Sequence, residues 1–125
     1  HYGITGTVEH GRKLGRTLGF PTFNVEWPRE KLAPPWGVYL SDILVDGQWF
    51  HGISNVGVKP TVSRKERVLI ESFLFGYQGE AYGKEVTVRL LQFRRAERAF
   101  ASVEELRACI GRDVEYGKHF FANEE

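Results

Sequence analysis

A chain of 125 residues and 14.3 kDa fits one domain with room for a hydrophobic core that needs no staples. Its 42% hydrophobic and 26% charged content is that of a globular protein, and a formal charge of +1 excludes an electrostatic case for nucleic acid or a membrane surface as partner. A single cysteine, Cys109, excludes an internal disulfide framework and suits a reducing, cytoplasmic setting; no apolar run approaches the ~18 residues of a membrane span. Methionine is absent, position 1 included, so the chain is expected to be a domain excised from a longer protein.

Short apolar alternations between turn signals predict an all-β barrel or sandwich. The first strand is expected around Tyr2 to Glu9. A glycine-rich loop follows, then a proline-containing stretch from Pro28 to Pro35 that cannot be regular. Gly37 to Asp46 reads as a strand, with Val38 and Leu40 alternating against Tyr39 and Ser41. Asp46-Gly47 tolerates the positive φ angles of a type I′ turn, so Trp49 to Ile53 returns as the second arm of a hairpin. Val68 to Phe75 is a further strand, expected to pair with Val86 to Phe93 across the loop at Gly76 to Gly83. The last quarter alone is helical. Ser102-Val103-Glu104-Glu105 is a capping box, followed by Val103, Leu106, Ile110, Val114 and Gly117 at three- and four-residue steps. Gly111 within that helix costs about 1 kcal/mol against alanine.

Three features could carry chemistry. Gly11 to Thr17 has the outline of a phosphate loop but fails the P-loop template. Three residues separate its glycines, Arg16 stands for the lysine, and Gly19-Phe20-Pro21 forbids the following helix. Its backbone N–H groups, with Arg12, Lys13 and Arg16, could still cradle an anion; the plainer alternative is a flexible, solvated hairpin loop. In Phe20-Pro21-Thr22-Phe23-Asn24, alternation sends Thr22 and Asn24 to one side of a strand start and Phe23 to the other. A hydroxyl and an amide so placed suit a hard metal ion and phosphate oxygens, although a strand threonine and a turn asparagine would look the same. Glu71 shares a strand face with Leu69, Phe73 and Phe75. An acid among apolar side chains is pushed toward its protonated form unless a cation compensates, which suits a general base; the alternative is a cross-strand partner for Arg89 or Arg95. The four histidines have no ligand spacing, so a zinc site is not expected. Cys109 is expected as core filler, and Trp27, Trp36 and Trp49 as core or pocket wall.

In chain order, Gly6-x-Val8, His10-Gly11, Gly15-Arg16-Thr17-Leu18-Gly19-Phe20-Pro21-Thr22, Pro35-x-Gly37-Val38-Tyr39, Asn55-Val56-Gly57-x-x-Pro60-Thr61, Glu71, Tyr82-Gly83-Lys84 and Phe100-x-Ser102-x-Glu104-Glu105-Leu106 form a series that resembles the riboflavin kinase family. It is most similar to the kinase half of bacterial bifunctional riboflavin kinase/FAD synthetases, from Tyr2 to Phe120. The resemblance implies a six-stranded Greek-key β-barrel with a C-terminal α-helix, and transfer of the γ-phosphoryl of ATP to the 5′-hydroxyl of riboflavin to give FMN. It implies Mg²⁺ and phosphate ligands at Thr22 and Asn24, a catalytic base at Glu71, and a nucleotide-covering loop including Gly11, Lys13, Gly15 and Arg16. It also implies a flavin border at Arg95, with Glu97 following. An N-terminal adenylyltransferase domain is expected in the full-length protein.

This sequence departs from the family pattern at five positions. Phe23 replaces an alanine, Lys13 a common glycine, Phe73 and Gly76 stand where His and Asp or Asn are frequent, and Ala96 replaces a proline. Two further readings compete with the kinase: a non-catalytic flavin- or nucleotide-binding barrel, and an unrelated barrel serving as an adaptor. Retention of Thr22, Asn24 and Glu71 together argues against the first, and near-neutral charge against a nucleic-acid version of the second.

Overall fold

The structure is a computed structural model, and it describes residues 2–9, 22–28, 31–59, 67–77, 82–96 and 100–124. Among the described residues six strands are followed by one helix: β1 (Tyr2–Thr7), β2 (Thr22–Glu26), β3 (Gly37–Val45), β4 (Gln48–Lys59), β5 (Arg67–Leu74), β6 (Glu85–Ala96) and α1 (Val103–Glu124). All pairings are antiparallel, in the spatial order β1-β6-β3-β4-β5-β2. The two edges approach each other where the Glu9 N–H donates to the Asn24 carbonyl at 2.7 Å, making a nearly closed barrel and leaving little open edge.

The β3–β4 hairpin forms as expected. Asp46 (φ 53°) and Gly47 (φ 76°) both take the left-handed conformation that a type I′ turn demands. The pairing expected between the strands flanking Gly76 to Gly83 does not form. β5 is flanked by β4 and β2, so neither of its edges is available, and β6 instead lies between β1 and β3. Alternation marks a strand but carries no information about its neighbours. β4 and β6, twelve residues each, also extend beyond their expected ends.

Apolar side chains segregate into two cores. Inside the barrel, Ile4, Phe23, Val25, Tyr39, Ile43, Val56, Ile70, Leu74 and Val88 pack together. On the outer face Val38, Leu40, Ile53 and Phe73 meet Ile110, Val114 and Phe121 of α1. The residues of β3 are therefore buried at almost every position, because both faces are covered. Phe73, one of the departures noted above, belongs to this helix-packed core, and Gly76 turns the chain at φ 81°.

The capping box is present in a modified form. The Ser102 hydroxyl accepts from the Glu105 N–H at 3.1 Å, while the Glu105 carboxylate reaches back to the Ala101 N–H at 3.0 Å, one residue earlier than the motif specifies. Val103 lies off the apolar stripe, 58% exposed. The stripe runs through Leu106, Ile110, Val114, Gly117 and Phe121, and Cys109 is buried beside it. No described helix is long and apolar enough to cross a membrane.

Candidate functional site

Register brings together residues far apart in sequence. Asn24 of β2 is paired with Glu71 of β5, Glu71 with Asn55 of β4, Asn55 with Val38 of β3, and Val38 with Arg95 of β6. These five form one transverse row. Strand alternation puts Asn24, Glu71 and Asn55 on the outer face, the one whose next row, Phe73, Ile53 and Leu40, is covered by α1. Thr22 opens β2 opposite Phe73, two residues from Asn24. The row thus lies along the margin of the helix-covered surface.

A buried hydroxyl chain on the opposite face holds this register. Ser41, Ser54 and Ser72, all 1% exposed or less, are linked by Oγ···Oγ contacts of 2.7 Å each. Slipping β4 or β5 by one residue would break that chain and send Asn55 or Glu71 into the barrel. Gly37 clamps the far end of the row. A Cβ there would lie 2.3 Å from the Arg95 carbonyl oxygen, so only glycine lets β3 approach β6 so closely.

Asn24 is 3% exposed, and its Oδ1 has no hydrogen-bond partner among the described residues. An unsatisfied buried amide oxygen is costly, and a hard cation is one group that would satisfy it. No three described His, Cys, Asp or Glu side chains gather as a metal cage, so such a cation would rely on neutral oxygens and a ligand's own phosphates. Glu71 is half-buried. Its proposed cross-strand arginines are placed elsewhere: the Arg89 guanidinium lies over the Trp49 ring at 4.1 Å, and Arg95 faces the helix.

Arg95 is tied to the helix. Its Nε and Nη2 donate to the Asp113 carboxylate at 3.1 and 2.8 Å, and the Arg94 Nε shares the same Oδ1 at 2.7 Å. Hydrogen bonding to Asp113 raises the Arg95 pKa above its already high ordinary value. Asp113 was not expected. The signal was available, since it falls three residues after Ile110 and four before Gly117, on the buried stripe of α1. Asn55 had no such signal, because only pairing sets it beside Glu71. Gly11, Lys13, Gly15, Arg16 and Glu97 lie outside the described residues, as do Pro60 and Thr61.

A hollow of about 360 Å³ lies at the C-terminal end of α1 between Trp49, His51, Phe75, Lys118 and Phe121. Phe75 is four residues beyond Glu71, roughly 13 Å along the strand direction, so this hollow is separate from the row. Trp49 is a wall of it, Trp27 is in the barrel core, and Trp36 is 49% exposed.

Comparison with known proteins gives this geometry a lineage. A family model described as riboflavin kinase matches residues 1–121. The chain belongs to the riboflavin kinase family. Among relatives, a bifunctional riboflavin kinase/FMN adenylyltransferase of Pseudomonas fluorescens is 42% identical over 111 residues, 89% of this chain and 35% of that protein. The Bacillus subtilis protein of the same description is 39% identical over 98% of this chain and 39% of its own length. The chain therefore spans well under half of these relatives. A solved Streptococcus pneumoniae structure described as a macrolide-efflux protein superposes with a TM-score of 0.82 at 30% identity, over 93% of this chain and 38% of that one. Riboflavin kinase from Trypanosoma brucei superposes at 0.63 and 21% identity, over 96% and 79% of the two chains, and shares the fold.

Proposed function

We propose that this domain transfers the γ-phosphoryl group of ATP to the 5′-hydroxyl of riboflavin, giving FMN and ADP. The observation that carries the reading is the pairing of Asn24 with Glu71. It sets a buried amide oxygen that lacks a hydrogen bond among the described residues beside a carboxylate, on the face next to α1.

In this reading Glu71 accepts the proton of the riboflavin hydroxyl as its oxygen attacks the γ-phosphorus and the bond to the β-phosphate oxygen breaks. Phosphoryl transfer of this kind depends mainly on alignment and neutralised charge. Glu71 serves alignment as well, since a carboxylate fixed in a paired strand holds the hydroxyl in one direction. Asn24 Oδ1 and the Thr22 hydroxyl are the groups that would hold a divalent cation, Mg²⁺ by the chemistry of oxygen ligands and phosphate. Such an ion, when bound, neutralises phosphate oxygens. Gly11, Lys13, Gly15 and Arg16 would cover the nucleotide with backbone N–H groups and positive charge. In the full-length protein an adenylyltransferase domain would use the FMN product, and both activities would be cytoplasmic.

The test is direct. The purified chain is incubated with riboflavin, ATP and Mg²⁺, and the products are separated by chromatography. FMN formation supports the kinase; flavin binding without FMN would replace it with a non-catalytic flavin-binding barrel.

A further inference from the structure

Asn55 has no part in the reading above, yet it stands directly across the ladder from Glu71. Residues paired in this way hold their Cβ atoms about 4.5–5.5 Å apart. Two features fix the pair. Next to it, Ser54 and Ser72 lie opposite each other and share a buried Oγ···Oγ contact of 2.7 Å. Further along β4, a Cβ on Gly52 would lie 2.4 Å from the Phe73 carbonyl oxygen, so only glycine lets β4 and β5 approach this closely.

The strands around Asn55 offer its amide little. Its neighbour on β3 is Val38, its neighbours along β4 are Ile53 and Gly57, and Leu40, Leu69 and Phe73 lie at the diagonals. Among these described strand positions Glu71 alone is polar. An amide carries two N–H donors and an acceptor oxygen, and one carboxylate can match only part of that set. Asn55 is half-buried, and Ile53 beside it is covered by α1. The rest of its amide therefore suits a ligand lying along this face.

We propose that Asn55 is a specificity-determining residue whose amide binds the secondary hydroxyls of the riboflavin side chain, beside the hydroxyl that is phosphorylated. This rests on the kinase reading above. An attacking hydroxyl oxygen meets phosphorus in line with the leaving oxygen, so its own carbon lies on a different side from the phosphates. Asn24, which would hold the cation, is on the β2 side of Glu71, and Asn55 is on the β4 side. Phosphates over Asn24 send the carbon chain over Asn55. Neighbouring strands are about 4.8 Å apart, a reach that meets hydroxyls one or two carbons further along a polyol. Each hydroxyl both donates and accepts, and an amide matches both roles.

The experiment compares riboflavin with a flavin carrying a 5-hydroxypentyl side chain, which keeps the reacting hydroxyl and lacks the secondary ones. Phosphorylation with ATP and Mg²⁺, and Kd by quenching of flavin fluorescence, are measured for both flavins on the wild type, Asn55→Leu and Asn55→Ala. The wild type should favour riboflavin in kcat/KM and in Kd. In Asn55→Leu that preference should shrink about ten-fold, the equivalent of one neutral hydrogen bond, while the ATP KM stays within about two-fold of wild type. A purely structural role, or one exerted through Glu71, would affect both flavins alike and leave their ratio unchanged. Should Asn55→Leu fail to fold, Asn55→Ala carries the same expectation. An unchanged ratio in a folded variant, or a wild type that treats the two flavins equally, would overturn the proposal and leave the kinase intact. A wild-type chain that makes no FMN and binds no riboflavin would overturn both.

Discussion

Two glycines of α1 offer the same substitution in opposite surroundings. At Gly111 a Cβ would meet nothing within 4 Å, so Gly111→Ala gains the helix-propensity difference alone, about 1 kcal/mol. For a chain of this size that raises the thermal midpoint by roughly 4 °C. At Gly117 a Cβ would lie 3.3 Å from the Phe75 ring and 3.4 Å from Leu40 Cδ2, where α1 seats on the outer core. The same propensity gain is then opposed by overpacking, typically about 1–3 kcal/mol. The Phe75 ring is half-buried and can yield in part, so the net effect should fall between neutral and a loss of about 2 kcal/mol. Urea unfolding of both variants at one temperature reads the difference through their midpoints at constant slope. Equal stabilisation by the two substitutions would refute the seating of α1 at Gly117, and with it the reach of Asp113 to β6.

Other consequences concern the row and the serines behind it. Glu71→Gln should reduce FMN formation about 10²- to 10⁴-fold with folding intact, since it removes a proton acceptor without changing shape; near-wild-type turnover in a stopped assay would exclude Glu71 as the base. Asn24→Ala should leave the thermal midpoint in EDTA almost unchanged while abolishing most of the increase that Mg²⁺ and ADP together produce in wild type. An undiminished Mg²⁺·ADP increase would move the cation elsewhere. Ser54→Ala strands the Ser41 and Ser72 hydroxyls in the barrel interior and should cost about 1–3 kcal/mol in urea unfolding. If it is neutral, the serine chain does not hold the register.

Local chemistry was legible in the residues themselves. The Asp46-Gly47 turn needed only two residues that accept positive φ, and the helix start needed only Ser102 and Glu105. The phase of β2 and β5 was equally readable, because side chains alternate whatever a strand's neighbours are. That Asn24 shares a side with Thr22, and Glu71 a side with Phe73 and Phe75, was therefore identifiable before any pairing was known; which side faced out was not.

Their proximity was not. Pairing is decided by which strands can bury their faces together, and in this barrel β6 was drawn between β1 and β3, away from β5. The same event put Asn55 beside Glu71, removed Arg89 and Arg95 as its cross-strand partners, and delivered Arg95 to Asp113. A one-dimensional pattern records propensity and periodicity, both fixed within a few residues. A row of five residues on five strands depends on contacts between segments about fifty residues apart, Asn24 with Glu71 and Val38 with Arg95, which exist only once the two cores have formed. Thus the sequence alone determined Asn24 and Glu71 as residue types and set the phase of their strands, and the tertiary structure made them neighbours.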